Sequence, residues 1–236
     1  MTSKERSATN ENAKALSLKI GLLSYYKIIL DKFYAKIKSQ LNKPLPGFKV
    51  YSSMSPSPSK YSYNKPDCRI SSVLILLYKE KNKIFTILTK RSQKVRHHKG
   101  QISFPGGEKE PIESIRETAI REAHEEIGIK KNEIYVLGSL SEIYIPLSNF
   151  IIHPILAYSQ SKPRLKINTD EVEHIIAITI DDLMNQKSLH NNKKIQIGSK
   201  SISVPCFIFQ DNIVWGATSM VLKELKEIIK LSINQY

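Results

Sequence analysis

The sequence predicts an α/β or α+β sandwich, and three observations carry the prediction. Two apolar runs rich in β-branched and aromatic residues, VLILLY and IFTILT, flank the polar turn KEKNK within Ile70–Arg91, the pattern of two buried strands. Downstream, Ile115, Ala119, Ala123 and Ile127 step by four residues, which sets them on one stripe of a helix able to pack on a sheet. Further strand-like runs then precede a last amphipathic helix, so strands and helices mix along the chain. With 236 residues and 41% hydrophobic content, the chain can bury a core that needs no disulfide support.

Taken in order, Met1 to Asn12 is polar and reads as a loose start. From Ala13 to Leu41, Leu16, Ile20, Leu23, Leu30, Phe33 and Ile37 recur at spacings of three, four and seven, which predicts an amphipathic helix or a broken pair packed on the main domain. LNKPLPGF and MSPSPSK then bring Pro44, Pro46, Pro56 and Pro58 close together and mark a connector instead of a core element. Residues 1–66 are therefore read as an N-terminal helical extension with a Pro-rich connector, and residues 67–236 as the main domain. Within that domain the strand candidates after the central helix are IYVLGSLSEIY, FIIHPILAY, HIIAITI, SISVPCFIF and NIVW, and a final helix spans about Ala217 to Leu231.

Composition narrows the class. No run of eighteen apolar residues exists, so no membrane span is expected. IGLLSYYKIIL follows a long polar start and has no small-residue cleavage site after it, so it reads as a helix and not a signal peptide. Cys68 and Cys206 are far apart and form no CxxC pair, which fits buried thiols in a reducing, cytoplasmic setting. The formal charge of +14 is carried by lysines scattered along the chain, with only seven arginines and no basic block interleaved with aromatics. That pattern argues against nucleic acid as the main partner and for a small polyanionic substrate. A homodimer is compatible with all of this.

The chemistry concentrates in GQISFPGGEKEPIESIRETAIREAHEEIGI, Gly100 to Ile129. Pro111 suits the first turn of a helix and Gly128 its left-handed stop. At helical spacing Glu122, Glu125 and Glu126 share a face beside the apolar stripe, where like charges repel. Arg121 lies four residues from both Glu117 and Glu125. Two readings of this face stand: a solvated acidic surface, or carboxylates that hold a hard cation such as Mg²⁺ or Mn²⁺ together with phosphate oxygens.

A resemblance separates them. Gly107, Glu113 and the run Arg121-Glu122-Ala123-x-Glu125-Glu126-x-Gly128-Ile129 fit in full the Nudix box, GX5EX7REUXEEXGU with U apolar. The resemblance implies an α/β/α sandwich with a mixed sheet and a catalytic loop-helix-loop. It implies metal ligation by Glu122, Glu125, Glu126 and the Gly107 carbonyl, with Glu113 and Arg121 holding the loop and the carboxylates. Glu171, before HIIAITI, stands where many such enzymes place an extra carboxylate; Glu125 or Glu171 is then the general base. His97 and His98 either contact phosphate or face solvent, and His124 reads as a surface residue and not a metal ligand.

A second signature lies just upstream. Ile87, Leu88, Thr89, Arg91, Ser92, Arg96, Gly100, Phe104, Pro105, Gly106 and Gly107 resemble the extension of the coenzyme A diphosphatase branch, with Ile in place of the first Leu. SNFIIHPI, DEVEHIIAITIDDL and WGATSMVL extend the likeness, with SNF where Ser-Gly-Phe is usual. This implies Mg²⁺- or Mn²⁺-dependent hydrolysis of the diphosphate of coenzyme A or its thioesters, giving 3′,5′-ADP and a 4′-phosphopantetheine product. Arg91, Arg96, Lys99 and the Gly106 turn would face the substrate, the alternative being a strand-end ion-pair cluster. The rival activities are hydrolysis of ADP-ribose or a dinucleotide and, from another class, a noncatalytic module that binds polyanions.

Overall fold

The computed structural model describes residues 28–56, 67–95, 98–197 and 199–233. Its centre is the hairpin of β1 (Arg69–Glu80) and β2 (Lys83–Arg91), turned at Lys81-Asn82, where Lys81 takes a φ of 56°. β1 carries Leu74, Leu76 and Tyr78 into one buried cluster and Ile75 and Leu77 into another. Side chains alternate across a strand, so an uninterrupted apolar run is what a strand covered on both faces needs.

β7 (Phe150–Ser159) lies parallel to β1 over ten paired positions, while β2 is antiparallel to it, so the sheet is mixed. Its main order is β3 (Ile102–Ser103), β2, β1, β7, β5 (Tyr135–Ser139); β4 (Gly106–Glu108), β6 (Ile143–Ile145) and β8 (Val172–Thr179) add to β1, β7 and β2. A separate sheet has the order β11 (Asn212–Trp215), β10 (Lys200–Phe209), β9 (Leu189–Ile197).

One face of the large sheet is covered by the helix Ile115–Ile127 through Ala119, Ala123 and Ile127. The other face packs on the C-terminal helix Gly216–Ile233 through Leu222, Leu225, Ile228 and Ile229. That is the α/β/α sandwich the sequence implies. In chain order the helices are α1 (28–41), α2 (Phe48–Tyr51), α3 (Ile115–Ile127), α4 (Ile180–Met184) and α5 (Gly216–Ile233). No helix among the described residues is long and apolar enough to cross a membrane.

The N-terminal helix packs on the sheet as expected: Ile37 is buried, Leu30 and Phe33 are partly so, and Tyr34 stacks on Tyr158 at 4.3 Å between ring centroids. Leu16, Ile20 and Leu23 lie outside the described residues. The Pro-rich stretch is more than a connector, because Met54 at its centre is buried in the main core. A buried carboxylate fixes this region: Glu224 on α5 accepts from the Gly47 N–H at 2.9 Å and from the Ser141 N–H and hydroxyl at 3.1 and 2.6 Å.

Other differences are local. IYVLGSLSEIY forms two strands, β5 and β6, because Leu140 N–H donates to the Pro154 carbonyl and Ser141 is held by Glu224. LHNNKKIQI forms β9, which was not expected. Cys206 is buried, but Cys68 is only half-buried and donates to Asn149 Oδ1.

Candidate active site

The site is built around α3, and its start is set by Ser114. The Ser114 hydroxyl accepts from the Glu117 N–H at 3.2 Å, and the Glu117 carboxylate accepts from the Ser114 N–H at 2.8 Å, a reciprocal cap. Pro111 is therefore not in the first helical turn, as the sequence suggested; it lies in a turn before the cap, which leads Glu113 back alongside the helix. Glu117, engaged in the cap, is not a partner of Arg121. At the other end Gly128 adopts a φ of 73° and closes the helix as predicted.

Arg121 organises the carboxylates. Its Nε donates to Glu113 at 2.6 Å, Nη1 donates to Glu122 at 2.7 Å and to Glu125 at 2.9 Å, and Nη2 donates to the Glu108 carbonyl at 3.2 Å. A planar guanidinium with five fixed donors can serve several oxygens in this way, where an ammonium cannot. Glu113 also accepts from the Thr118 hydroxyl at 3.0 Å and from the Glu110 N–H at 3.3 Å. Arg121 beside it, with those two donors, holds its carboxyl down at about 2.

Glu126 is in the opposite situation. It is buried, and Arg91 Nη1 approaches only to 3.5 Å of its Oε1. Oε2 of Glu126 and Nε of Arg91 are both buried without a hydrogen-bond partner. Burial, with repulsion from Glu122 and Glu171, pushes the Glu126 carboxyl up to about 8, although Arg91 and the Gly106 N–H oppose the shift. Glu122 is raised as well, chiefly by burial.

Gly106 and Gly107 deliver the loop against these groups. They pair with Val73 and Ser72 on β1. A methyl at Gly107 would fall on the Glu122 carboxylate, and one at Gly106 would fall on the Ser72 carbonyl and within 2.7 Å of Val73 Cα. At Gly106 only glycine permits that approach to main chain, whereas at Gly107 a methyl would have to displace the Glu122 carboxylate.

Glu171 reaches the site by a path the sequence does not reveal. Asn168 N–H donates to the Glu126 carbonyl and Lys166 N–H to the Ile127 carbonyl, both at 2.9 Å, so this segment caps the end of α3. Asn168 Nδ2 then donates to Glu171 at 3.2 Å, and Glu171 is close enough to raise both Glu122 and Glu126 by its charge. Asn168 and Thr118 were not singled out from sequence; the Asn-x-Asp turn signal was the available hint for the first.

The geometry thus brings together Glu122, Glu126, Glu171, Gly106, Gly107 and Arg91, with Arg121 and Glu113 behind them. Glu125 is turned outward, 49% exposed, onto Arg121. Lys99 is exposed on the loop beyond Arg91, and Arg96 and His97 lie outside the described residues. His98 meets Gln101 at 3.0 Å, and His124 faces solvent with Nδ1 2.9 Å from the Ile129 carbonyl. Asn149, at the SNF position, has a φ of 52°, a conformation that glycine adopts freely and Asn tolerates.

Among the described residues no three Asp, Glu, His or Cys side chains converge as a closed metal-ligand set, since Arg121 draws Glu122 and Glu125 toward itself. The donors nonetheless fit a hard divalent cation. They are all oxygens, one is a buried carboxylate oxygen without a partner, and two carboxyls are raised chiefly by burial.

Comparison with known proteins matches residues 69–197, more than half of the chain, to the NUDIX domain. Nudix hydrolase 3 of Caenorhabditis elegans is 34% identical over 139 residues, 58% of this chain and 57% of that protein. The uncharacterized Nudix hydrolase NudL of Photorhabdus laumondii is 30% identical over 180 residues, 75% of this chain and 91% of that protein. The peroxisomal coenzyme A diphosphatase NUDT7 of Mus musculus is 26% identical over 141 residues, 59% of each chain. The chain therefore spans less than two thirds of the worm and mouse proteins.

Proposed function

This chain belongs to the Nudix family, and on that premise we propose that it hydrolyses the diphosphate of coenzyme A or its thioesters, releasing 3′,5′-ADP and a 4′-phosphopantetheine product. The observation that carries the reading is the placement of Arg91, a residue of the upstream signature, directly on the buried Glu126, with its Nε free of any partner. A cationic fork there is suited to a phosphate oxygen beside the acidic centre. The mouse diphosphatase among the relatives supports the same substrate.

Glu122, Glu126 and Glu125, with the Gly107 carbonyl, would hold Mg²⁺ or Mn²⁺. Such an ion supplies charge neutralisation on the diphosphate and a lowered pKa for water. Arg121 orients Glu122 and Glu125, and Glu113 anchors Arg121. Of the two candidate bases, Glu171 suits the task better on position: Glu125 is turned outward onto the Arg121 guanidinium, whereas Glu171 lies beside Glu122 and Glu126 and accepts from the Asn168 amide. In the reaction the water oxygen bonds to phosphorus, its proton passes to Glu171, and the bridging P–O bond breaks with the leaving phosphate keeping the bridging oxygen. Arg91, with Arg96 and Lys99, would bind the substrate phosphates.

The test is a panel of coenzyme A, dephospho-coenzyme A, ADP-ribose and NADH with Mg²⁺ or Mn²⁺, the products resolved by mass. Coenzyme A is expected to be cleaved best. A charge-assisted hydrogen bond to the 3′-phosphate is worth roughly 1.5–3 kcal/mol, so dephospho-coenzyme A should be about ten- to a hundredfold poorer in kcat/KM. Brisk cleavage of ADP-ribose with coenzyme A untouched would overturn the assignment.

A further inference from the structure

A depression of about 270 Å³ lies beside the catalytic loop, lined by Lys99, Gln101, Ile102, Gln196, Ile213 and Trp215. Of its β9 and β11 residues, Gln196 and Ile213 lie outside the motifs discussed above, and Trp215 opens WGATSMVL. Its floor is tied to the site: Arg91 N–H donates to the Gln101 carbonyl at 2.9 Å, and Gly100 N–H donates to the Arg91 carbonyl at 3.1 Å. The strand end that carries Arg91 onto Glu126 is thus hydrogen-bonded to the wall of this depression. The opposite wall is tied to β3 as well, because the Thr218 hydroxyl at the start of α5, three residues after Trp215, donates to the Ile102 carbonyl at 3.0 Å.

The lining has a specific chemical character. The residues that line it carry one indole, two primary amides, of which Gln101 has its Oε1 3.0 Å from His98 Nδ1, two branched apolar side chains and one exposed ammonium. An indole stacks on a planar heteroaromatic ring whatever its substituents. A primary amide presents a donor and an acceptor side by side, which matches the amino and ring-nitrogen edge of adenine. An exposed ammonium suits a phosphate on the attached ribose. A flexible pantetheine arm has no planar ring to use the indole in this way.

We propose that this depression holds the adenine nucleotide end of the substrate, with Trp215 as the stacking surface, Gln101 and Gln196 reading the base edge, and Lys99 meeting a ribose phosphate. The inference rests on the reading of the site as a hydrolase of an adenine-bearing diphosphate and does not depend on coenzyme A being that substrate. It assigns the two halves of the molecule: the nucleotide runs toward β11, and the other half leaves the acidic centre on another side.

Trp215 is the one tryptophan in the chain, so its emission reports this place alone. The probe is 3′,5′-ADP, which contains no diphosphate bond and stays intact with Mg²⁺ present. Titration into the full chain should change Trp215 emission saturably, and 4′-phosphopantetheine should leave it unchanged. By calorimetry, Trp215→Phe should keep most of the affinity and Trp215→Ala should lose about five- to a hundredfold, the range seen for base stacking. Gln196 is exposed, so Gln196→Ala should fold normally and still weaken binding severalfold. If 3′,5′-ADP inhibits hydrolysis competitively while the emission and the Gln196→Ala affinity do not move, the nucleotide binds elsewhere and the proposal falls. A response to 4′-phosphopantetheine instead would also overturn it. A saturable response to 5′-AMP in an enzyme that cleaves ADP-ribose and not coenzyme A would support the adenine site while removing coenzyme A as the substrate.

Discussion

Glu113 and Glu126 are both acidic residues of the same motif, at opposite ends of α3, and the protein treats them in opposite ways. Glu113 receives Arg121, the Thr118 hydroxyl and a backbone N–H, and its carboxyl is held near 2. Glu126 is buried with one oxygen unpartnered and its carboxyl pushed up to about 8. A carboxylate whose hydrogen bonds are complete has nothing left to offer a ligand; one that is desolvated and short of positive charge gains most from a cation. The difference separates, within one motif, a carboxylate whose partners are complete from one that has room for a cation.

Replacing Glu126 should break the comparison most severely. Glu126→Gln keeps the shape and removes the ligand charge, so turnover should fall by on the order of 10²–10⁴, the several kcal/mol of charge stabilisation that a catalytic ion contributes. Stability should move the other way. A carboxyl raised in the folded state holds a proton that the unfolded chain releases, so its contribution is present at low pH and lost as pH rises from 4.5 toward about 8. In metal-free protein, Glu126→Gln should therefore match the wild type near pH 4.5 and exceed its Tm increasingly toward pH 8. A variant less stable than wild type at pH 8 without metal would remove the poised-carboxylate reading.

Gly107→Ala disturbs the same end through shape. The added methyl falls on the Glu122 carboxylate, and a displacement of about 1 Å in a catalytic group can cost up to roughly a hundredfold in rate. The expected result is a ten- to hundredfold loss in kcat with the Tm almost kept. Gly106→Ala should differ, since its methyl meets the β1 main chain and cannot be accommodated by a side-chain shift; there the Tm itself should drop. Equal and mild effects of both would mean that the loop is not held as closely as described.

Glu113→Gln tests the anchor. It should lower kcat by about tenfold, through a loosened Arg121, and cost about 1–2 kcal/mol of stability after solvent screening. The sign with pH is the reverse of that at Glu126. A depressed carboxyl stabilises the fold above its unfolded value of 4.5, and that contribution is lost as pH falls toward about 2. The Tm gap between wild type and variant, read by calorimetry, should be full at neutral pH and close below pH 4.5. A gap that persists unchanged at pH 3 would show that packing, not charge, separates them.

Much of this was legible in the sequence because it is local. The four-residue stripe of Ala119, Ala123 and Ile127, the αL stop at Gly128 and the shared face of the glutamates follow from helical period alone. Depth does not follow from period: nothing local says that Glu126 is buried while Glu125, one residue earlier, faces solvent. That is decided by β1 beneath and by Arg91, which arrives from another strand. Glu171 is placed by Asn168 crossing the end of α3, and the break between β5 and β6 by Glu224, 83 residues away from Ser141. β9 was missed because LHNNKKIQI lacks an apolar alternation; it is a strand because β10 pairs with it.

The smallest expected effect falls on Ser114, and it sharpens the comparison by touching α3 without touching either carboxylate. Ser114→Ala removes the hydroxyl that accepts from the Glu117 N–H and leaves the other half of the reciprocal cap with no counterpart. Loss of such a cap costs about 1 kcal/mol, which for a chain of this size lowers Tm by roughly 2–4 °C. Thr118 has a second tie to this turn, since its N–H donates to the Ser114 carbonyl at 3.0 Å while its hydroxyl lies 3.0 Å from Glu113, so fraying of the first turn should stop there. Arg121 and the groups beyond it then keep their positions, and kcat and KM should stay within about twofold of wild type. If Ser114→Ala instead lost tenfold or more in kcat, the start of the helix would be coupled to the reacting end, and Glu113 could no longer be treated as an anchor separable from Glu126.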